Sequence, residues 1–241
     1  MTILRSSIFF VWFVLASVVI HLAALPALLL PRIAMLWAGH AWCVAVLWGL
    51  RVFAGQNFEV RGSRPPDGAL IASKHMSMWD TLALYTSLNM PLFVLKRELL
   101  AIPFYGWFVR KAGMIAIDRE GRASALRKMT AAVRAAIARG RAVIIFPEGT
   151  RKKPDAEPAY KPGVAALYGQ LGGECVPVAL NSGLYWTGPA GFVKRPGTII
   201  LEFLPPIPPG LKRREFMATL QDRIETATQK LVREGRVELA G

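Results

Sequence analysis

Ala142-Val143-Ile144-Ile145-Phe146-Pro147-Glu148-Gly149-Thr150-Arg151 is an apolar, β-branched run that stops at a proline and turns at a glycine. Its first five residues predict a strand buried on both faces, the kind that fills a parallel sheet covered by helices. Beyond the strand, Gly149 permits a sharp turn and exposes main-chain N–H groups. Thr150 adds a hydroxyl, and Arg151 adds a planar cation suited to phosphate. Such a stretch predicts either a phosphate-monoester site at a strand end or a plain β-turn with a solvated arginine.

The alternation of strand and helix continues on both sides. Upstream, residues 57–61 and 69–73 predict short strands joined by the turn Arg64-Pro65-Pro66-Asp67-Gly68. A helix over 81–88, a strand over 92–95, a helix over 103–111 and a strand over 114–117 follow. Residues 124–139 then form an amphipathic helix stopped by Gly140. Downstream, 161–170 predicts a helix, 176–180 and 198–203 predict strands, and 214–232 a charged amphipathic helix. Strands separated by helices specify an α/β fold with a central, largely parallel sheet covered by helices. No internal repeat or low-complexity tract interrupts it.

At 241 residues the chain accommodates one sizeable α/β domain, or a domain with a small appendage. A composition of 53% hydrophobic and 19% charged residues excludes disorder, and 21 glycines without a triplet period exclude a collagen-like fibre. Two cysteines exclude a disulfide framework; Cys43 and Cys175 both read as buried thiols. The net charge of +14 suits an anionic partner: nucleic acid, a membrane surface or a phosphorylated substrate. Without zinc-ligand spacing, a helix-turn-helix signature or an RRM-like aromatic block, nucleic acid is not the expected partner, and no metal site is apparent.

The charge is unevenly spread. Residues 1–60 hold Arg5, Arg32, Arg51 and Glu59, leaving 27 of the 30 basic and 15 of the 16 acidic residues for the remaining 181 positions. The uncharged stretches 8–30 and 33–50, at about 1.5 Å per residue, cross or nearly cross a hydrocarbon core of ~30 Å. Pro26, Pro31 and Arg32 separate them, and Trp12, Trp37, Trp42 and Trp48 supply rings suited to a lipid interface. Three forms fit: a cleavable signal peptide, a spanning hairpin, and a pair of helices embedded in one leaflet. A second apolar stretch and the length of the first favour the last two. Residues 1–55 are therefore read as a membrane-associated helical segment and 56–241 as the α/β domain, its basic surface facing anionic headgroups.

Further motifs end predicted strands. In Ser73-Lys74-His75-Met76-Ser77-Met78-Trp79-Asp80, His75 and Asp80 would lie about 140° apart on a regular helix. They meet only if His75 sits in the strand-to-helix turn. The carboxylate would then hold one imidazole nitrogen and leave the other free to accept a proton. The alternative is a loop histidine and a capping aspartate. Ser77 reads as a helix N-cap rather than a nucleophile, since no Gly-x-Ser-x-Gly elbow surrounds it. Gly113-Met114-Ile115-Ala116-Ile117-Asp118-Arg119 is a strand ending in an acid and an arginine, in isolation a surface ion pair. Lys96 and Arg97 follow the strand ending at Leu95, either on the same side of a parallel sheet or as a solvated pair. Val176-Pro177-Val178-Ala179-Leu180 reads as a core strand whose proline marks an edge or a bulge.

These four motifs, in this order over about residues 70–180, resemble the blocks of the glycerolipid acyltransferase family, whose best-known members are the 1-acyl-sn-glycerol-3-phosphate acyltransferases. Tyr160-Lys161-Pro162-Gly163 resembles the aromatic-Lys-x-Gly stretch after the hexapeptide. The resemblance implies a central mixed sheet, an N-terminal two-helix element that docks on the membrane, and direct acyl transfer without an acyl-enzyme. It implies His75 as general base and Asp80 as its orienter. Lys96, Arg119 and Arg151 would bind the acceptor phosphate, with Glu148, Gly149 and Thr150 around the glycerol, and Pro177 and Val178 supporting the site or the acyl groove. The donor would be an acyl carrier protein or coenzyme A thioester, with no other cofactor. The acceptor would be lysophosphatidic acid among membrane phospholipids, and the body would face the cytoplasm at the inner membrane. The family commonly has asparagine where Lys74 stands and serine where Lys152 stands. These departures leave other acceptors open: glycerol 3-phosphate, lyso-ornithine lipid or another lysolipid. A non-catalytic scaffold is the remaining reading, and intact His75, Asp80 and Arg151 argue against it.

Overall fold

The computed structural model describes residues 1–118, 122–187 and 191–241. Seven strands, β1 (Gln56–Arg61), β2 (Leu70–Ser73), β3 (Leu92–Lys96), β4 (Ile115–Ile117), β5 (Val143–Ile145), β6 (Cys175–Leu180) and β7 (Gly197–Phe203), form one sheet in the order β1-β7-β6-β2-β5-β3-β4. Only the β6–β7 pair is antiparallel. Each expected strand is present, its bounds within one residue at either end. The three central strands β2, β5 and β6 are buried at every residue, which is why they appear in the sequence as unbroken apolar runs.

Among the described residues seven α-helices flank the sheet: α1 (Thr2–Ala23), α2 (Arg32–Gly49), α3 (Trp79–Ser87), α4 (Tyr105–Ala112), α5 (Arg122–Ile137), α6 (Gly163–Leu171) and α7 (Arg213–Ala240). Side chains alternate along each strand, so the core has two halves. Ile71, Ile144, Val176 and Val178 pack with residues of α2 and α3. Leu70, Ala72, Val143 and Ile145 pack with residues of α5, α6 and α7. The last helix runs eight residues past its expected end, through Gly235, where a Cβ would lie 2.8 Å from the Tyr185 hydroxyl. The glycine there permits close packing rather than ending the helix.

Two apolar helices stand at the N-terminus. The spans Thr2–Ala23 and Arg32–Ala54 have mean hydropathies of 2.2 and 1.6 and the length to cross a bilayer. They differ in packing. Cys43, Val46, Leu47 and Leu50 belong to the main core, so α2 is one of the helices that cover the sheet and residues 1–55 do not form a detached appendage. α1 lies outermost, tied to α2 by the Trp12 indole N–H to the Ala45 carbonyl at 3.0 Å, and exposes Phe10, Val11, Leu15, Val18 and Leu22. Arg32 Nε donates to the Ala112 carbonyl at 2.8 Å, fastening α2 to the end of α4. Gly113 makes room for that guanidinium, because a Cβ there would lie 1.2 Å from Arg32 Nη2.

Of the edge or bulge that Pro177 marks, the structure has the bulge. β6 is interior, paired with β2 on one side and β7 on the other. The β7 chain bulges opposite the proline: Leu204 N–H donates to the Pro177 carbonyl, and pairing resumes at Cys175 with Ile207. The extra residue in that detour faces the ring that cannot donate. Both cysteines are buried and free, and burial pushes the Cys175 thiol up to about 12.

Candidate active site

β2, β3, β4, β5 and β6 are mutually parallel, so their carboxyl ends share one edge of the sheet, where sites of open α/β folds form. β2 delivers His75 to that edge, its neighbour β5 delivers the hexapeptide, and β3 delivers Lys96.

His75 sits in the turn before α3, as contact with Asp80 requires. Its Nδ1 lies 2.9 Å from Asp80 Oδ2. The same oxygen accepts the main-chain N–H groups of Met76 at 2.6 Å and Ser77 at 2.9 Å. The other oxygen accepts the Ser182 hydroxyl, which in turn accepts the Ser77 hydroxyl at 2.9 Å. Asp80 is fully buried, and so anchored it acts as acceptor for the Nδ1 proton. Nε2 is then left with its lone pair. The ring stacks on Phe146 at 3.8 Å between centroids and 16° between planes, with 12% of the side chain exposed. The Phe146 face and the Asp80 carboxylate thus hold the ring from two sides. Ser77 Oγ accepts the Trp79 N–H at 3.2 Å, but the N-cap of α3 is Met78, so Ser77 stands one residue before the cap position expected of it.

The hexapeptide turn closes through Gly149 N–H to the Phe146 carbonyl at 2.9 Å, with Gly149 at φ 67°. Lys152 N–H donates to the His75 carbonyl at 2.8 Å, so the two turns are stitched together along the backbone. Thr150 is exposed. Arg151 is half-buried and lines a cavity of about 240 Å³ with Met76, Lys152, Lys153 and Gly183. Lys96 is exposed at the end of β3, next to β5. Arg119 lies outside the described residues. Its neighbour Asp118 accepts Arg97 at 2.7 Å, the surface pair expected of an isolated motif. Pro177 registers with Ala72, and the Val178 carbonyl accepts Lys74 N–H at 2.9 Å, so both stand behind the His75 turn.

Two residues sit apart from their expected setting. Glu148 is 1% exposed, and Lys74, which stands where the family commonly has asparagine, is fully covered and bonded to Glu148 at 2.9 Å. Neither carries a charge to the open edge. Burial pushes the Glu148 carboxyl above the usual carboxylate range, and Lys74 opposes that shift. The sequence reading missed Ser182 and Glu225. Ser182 had one usable signal, its place two residues beyond the end of β6. Among the described residues no group of three or more His, Cys, Asp or Glu could hold a metal.

Residues 57–181 match the family model described as Acyltransferase. The chain belongs to the acyltransferase family. A 1-acyl-sn-glycerol-3-phosphate acyltransferase of Pseudomonas aeruginosa is 40% identical over 160 residues, 66% of this chain and 62% of the relative. A lyso-ornithine lipid O-acyltransferase of the same organism is 32% identical over 136 residues, 56% of this chain and 52% of the relative. The chain thus spans between half and two thirds of the length of these relatives. The crystal structure of the 1-acyl-sn-glycerophosphate (LPA) acyltransferase PlsC from Thermotoga maritima has the same fold, with a TM-score of 0.77 at 19% identity over 96% of this chain and 98% of that one.

Proposed function

We propose that the chain is an O-acyltransferase that moves a fatty acyl group from an acyl carrier protein or coenzyme A thioester to the sn-2 hydroxyl of 1-acyl-sn-glycerol 3-phosphate. The product would be phosphatidic acid, made for phospholipid biosynthesis at the cytoplasmic face of the inner membrane. The observation that carries this reading is the 2.9 Å contact between His75 Nδ1 and a buried, fully bonded Asp80, beside a turn that bears Arg151.

With Nδ1–H held by Asp80, Nε2 of His75 takes the proton of the acceptor hydroxyl as its oxygen attacks the thioester carbonyl. The tetrahedral intermediate collapses with cleavage of the C–S bond, and the imidazolium returns the proton to the departing sulfur as a thiol. Asp80 and the Phe146 face stabilise the imidazolium between these steps. Lys96, at the end of β3, and Arg151, in the turn after the adjacent β5, attract the acceptor phosphate, with Arg119 the third cation that the resemblance implies. The exposed apolar face of α1 holds the protein where lysolipids reside.

The lyso-ornithine lipid relative supplies a second acceptor. A purified-protein panel would cross lysophosphatidate and lyso-ornithine lipid with both thioester donors, His75→Ala serving as control. Lysophosphatidate is expected to be acylated fastest, and His75→Ala to lose about 10²–10⁴-fold in turnover. Faster lyso-ornithine acylation would replace the acceptor, and an active His75→Ala protein would overturn the mechanism.

A further inference from the structure

Beneath the two turns lies a cluster that the proton transfer does not use. Lys74 Nζ donates to Glu148 Oε1 at 2.9 Å and to both oxygens of Glu225 at 2.8 and 2.9 Å. The Tyr160 hydroxyl donates to Glu225 Oε1 at 2.9 Å. The second oxygen of Glu148 faces the His75 main-chain N–H at 3.4 Å. Side-chain exposure is nil at Lys74 and Glu148 and 14% at Glu225. The participants come from the β2–α3 turn, the hexapeptide, the stretch before α6, and α7.

An ammonium taken from water needs its partners, and a buried carboxylate needs its donors. Stability alone does not call for such a cluster, since well-packed apolar side chains often serve as well or better. What the ions add is direction. Lys74 adjoins His75, Glu148 precedes Gly149 in the turn, and Glu225 approaches from a helix far along the chain from both, 151 residues from Lys74. A shift of the Glu225 carboxylate therefore moves both turns at once.

Resting on the acyl-transfer reading above, we propose that Glu225 is a positioning residue: through Lys74 it fixes the His75 turn against the hexapeptide turn, so that α7 sets the distance between the base and the cations.

The test uses Glu225→Ala, Glu225→Gln, Lys74→Met and the Lys74→Met/Glu225→Ala double variant of the full chain in defined lipid. Each of Glu225→Ala and Lys74→Met is expected to lower kcat about ten- to a hundredfold, the scale of a misplacement near 1 Å, with lysophosphatidate KM changed less than about threefold. The double variant should be no worse than the weaker single, because the residues act as one unit. Glu225→Gln, which keeps an oxygen for Lys74 and Tyr160, should recover most activity. A wild-type kcat in Glu225→Ala, additive losses, or a loss confined to KM would overturn the inference. If Lys74→Met does not fold, the imidazole NMR signals decide. The chain has three histidines. Those of His75 should shift in Glu225→Ala while those of His21 and His40 stay, and an unmoved His75 overturns the inference. A wild-type protein inert toward lysophosphatidate would sink the functional reading instead, and the NMR comparison would still decide the positioning role.

Discussion

Replacing Asp80 by asparagine separates the charge of the carboxylate from its geometry. Oδ2 receives three N–H groups, from His75, Met76 and Ser77, whereas Oδ1 faces only the hydroxyls of Ser182 and Ser77. The asparagine amide therefore seats its oxygen at the Oδ2 position and its NH2 at the Oδ1 position. The serine hydroxyls rotate to accept from it. His75 keeps its Nδ1 proton and its orientation, and what disappears is the negative charge beside the imidazolium. Two unit charges about 4 Å apart at an effective dielectric of about 20 interact by about 4 kcal/mol, which corresponds to about a thousandfold in rate. Asp80→Asn should accordingly lower kcat by about 10²–10³ with a near-wild-type melting temperature. Asp80→Ala should do worse and also destabilise, because it leaves buried N–H groups without an acceptor, at about 1–3 kcal/mol each. Steady-state acyl transfer to lysophosphatidate, alongside thermal unfolding, reads both quantities. Turnover of Asp80→Asn within about threefold of wild type would refute the reasoning, since a burial-amplified charge cannot be worth so little.

Arg151→Ala should raise the KM for lysophosphatidate about ten- to a hundredfold, the value of about 1.5–3 kcal/mol for a bond to a charged group, and leave the thioester KM unchanged. An altered thioester KM would place the guanidinium on the donor instead. Glutamate at Val11, Leu15 and Val18, which form one exposed stripe of α1, should abolish co-sedimentation with anionic vesicles while the folded body persists. Unchanged partition would remove α1 from the membrane contact. Burial pulls the Lys194 ammonium down from 10.5 to about 8, although the Gly191 and Phe192 carbonyls accept its protons. Between those pH values the unfolded chain binds the proton and the native chain has released it, so this group makes stability rise with pH across the window. Lys194→Met should flatten that rise in thermal melts, and an unchanged slope would count against the shift.

What the sequence made legible follows from the range of the interactions involved. The central strands could be read because burial on both faces demands apolar residues at every position, as in Val143–Ile145. The hexapeptide turn could be read because Pro147, Gly149 and Arg151 act within a few bonds of one another. Pro177 left its strand open between an edge and a bulge because a proline reports only its own missing donor. Whether an interior position tolerates that depends on a bulge near residue 204, in another strand. Lys74 was harder still to place. Its local surroundings say only that a cation stands beside the histidine, and the cation's destination is set by Glu225, 151 residues away on a helix of otherwise mixed charge. Likewise the N-terminal apolar stretches carry one composition and two fates. α2 buries one face in the core of the sheet and α1 turns most of its apolar side chains outward, a distinction set by what packs against each helix and not by its own composition.

The aspartate is where local and distant information meet. Read from sequence, Asp80 was either a capping residue or the orienter of His75. In the structure it is the orienter: Asp80 lies inside α3 and bonds the turn before the helix, not the N–H groups of its first turn. The carboxylate reaches back to the N–H groups of Met76 and Ser77, much as the acid of a capping box reaches to the loop before its helix. That reach is what fixes Oδ2 at 2.9 Å from the imidazole. The bonds that shape the turn also hold the acceptor still, so orienting the base requires no side chain beyond those that start α3. The Ser182 hydroxyl, arriving from the end of β6, then closes the one remaining direction in which the carboxylate could rotate. A five-residue spacing that looks too wide on a helix thus becomes the spacing that lets one group shape the turn before the helix and aim the base.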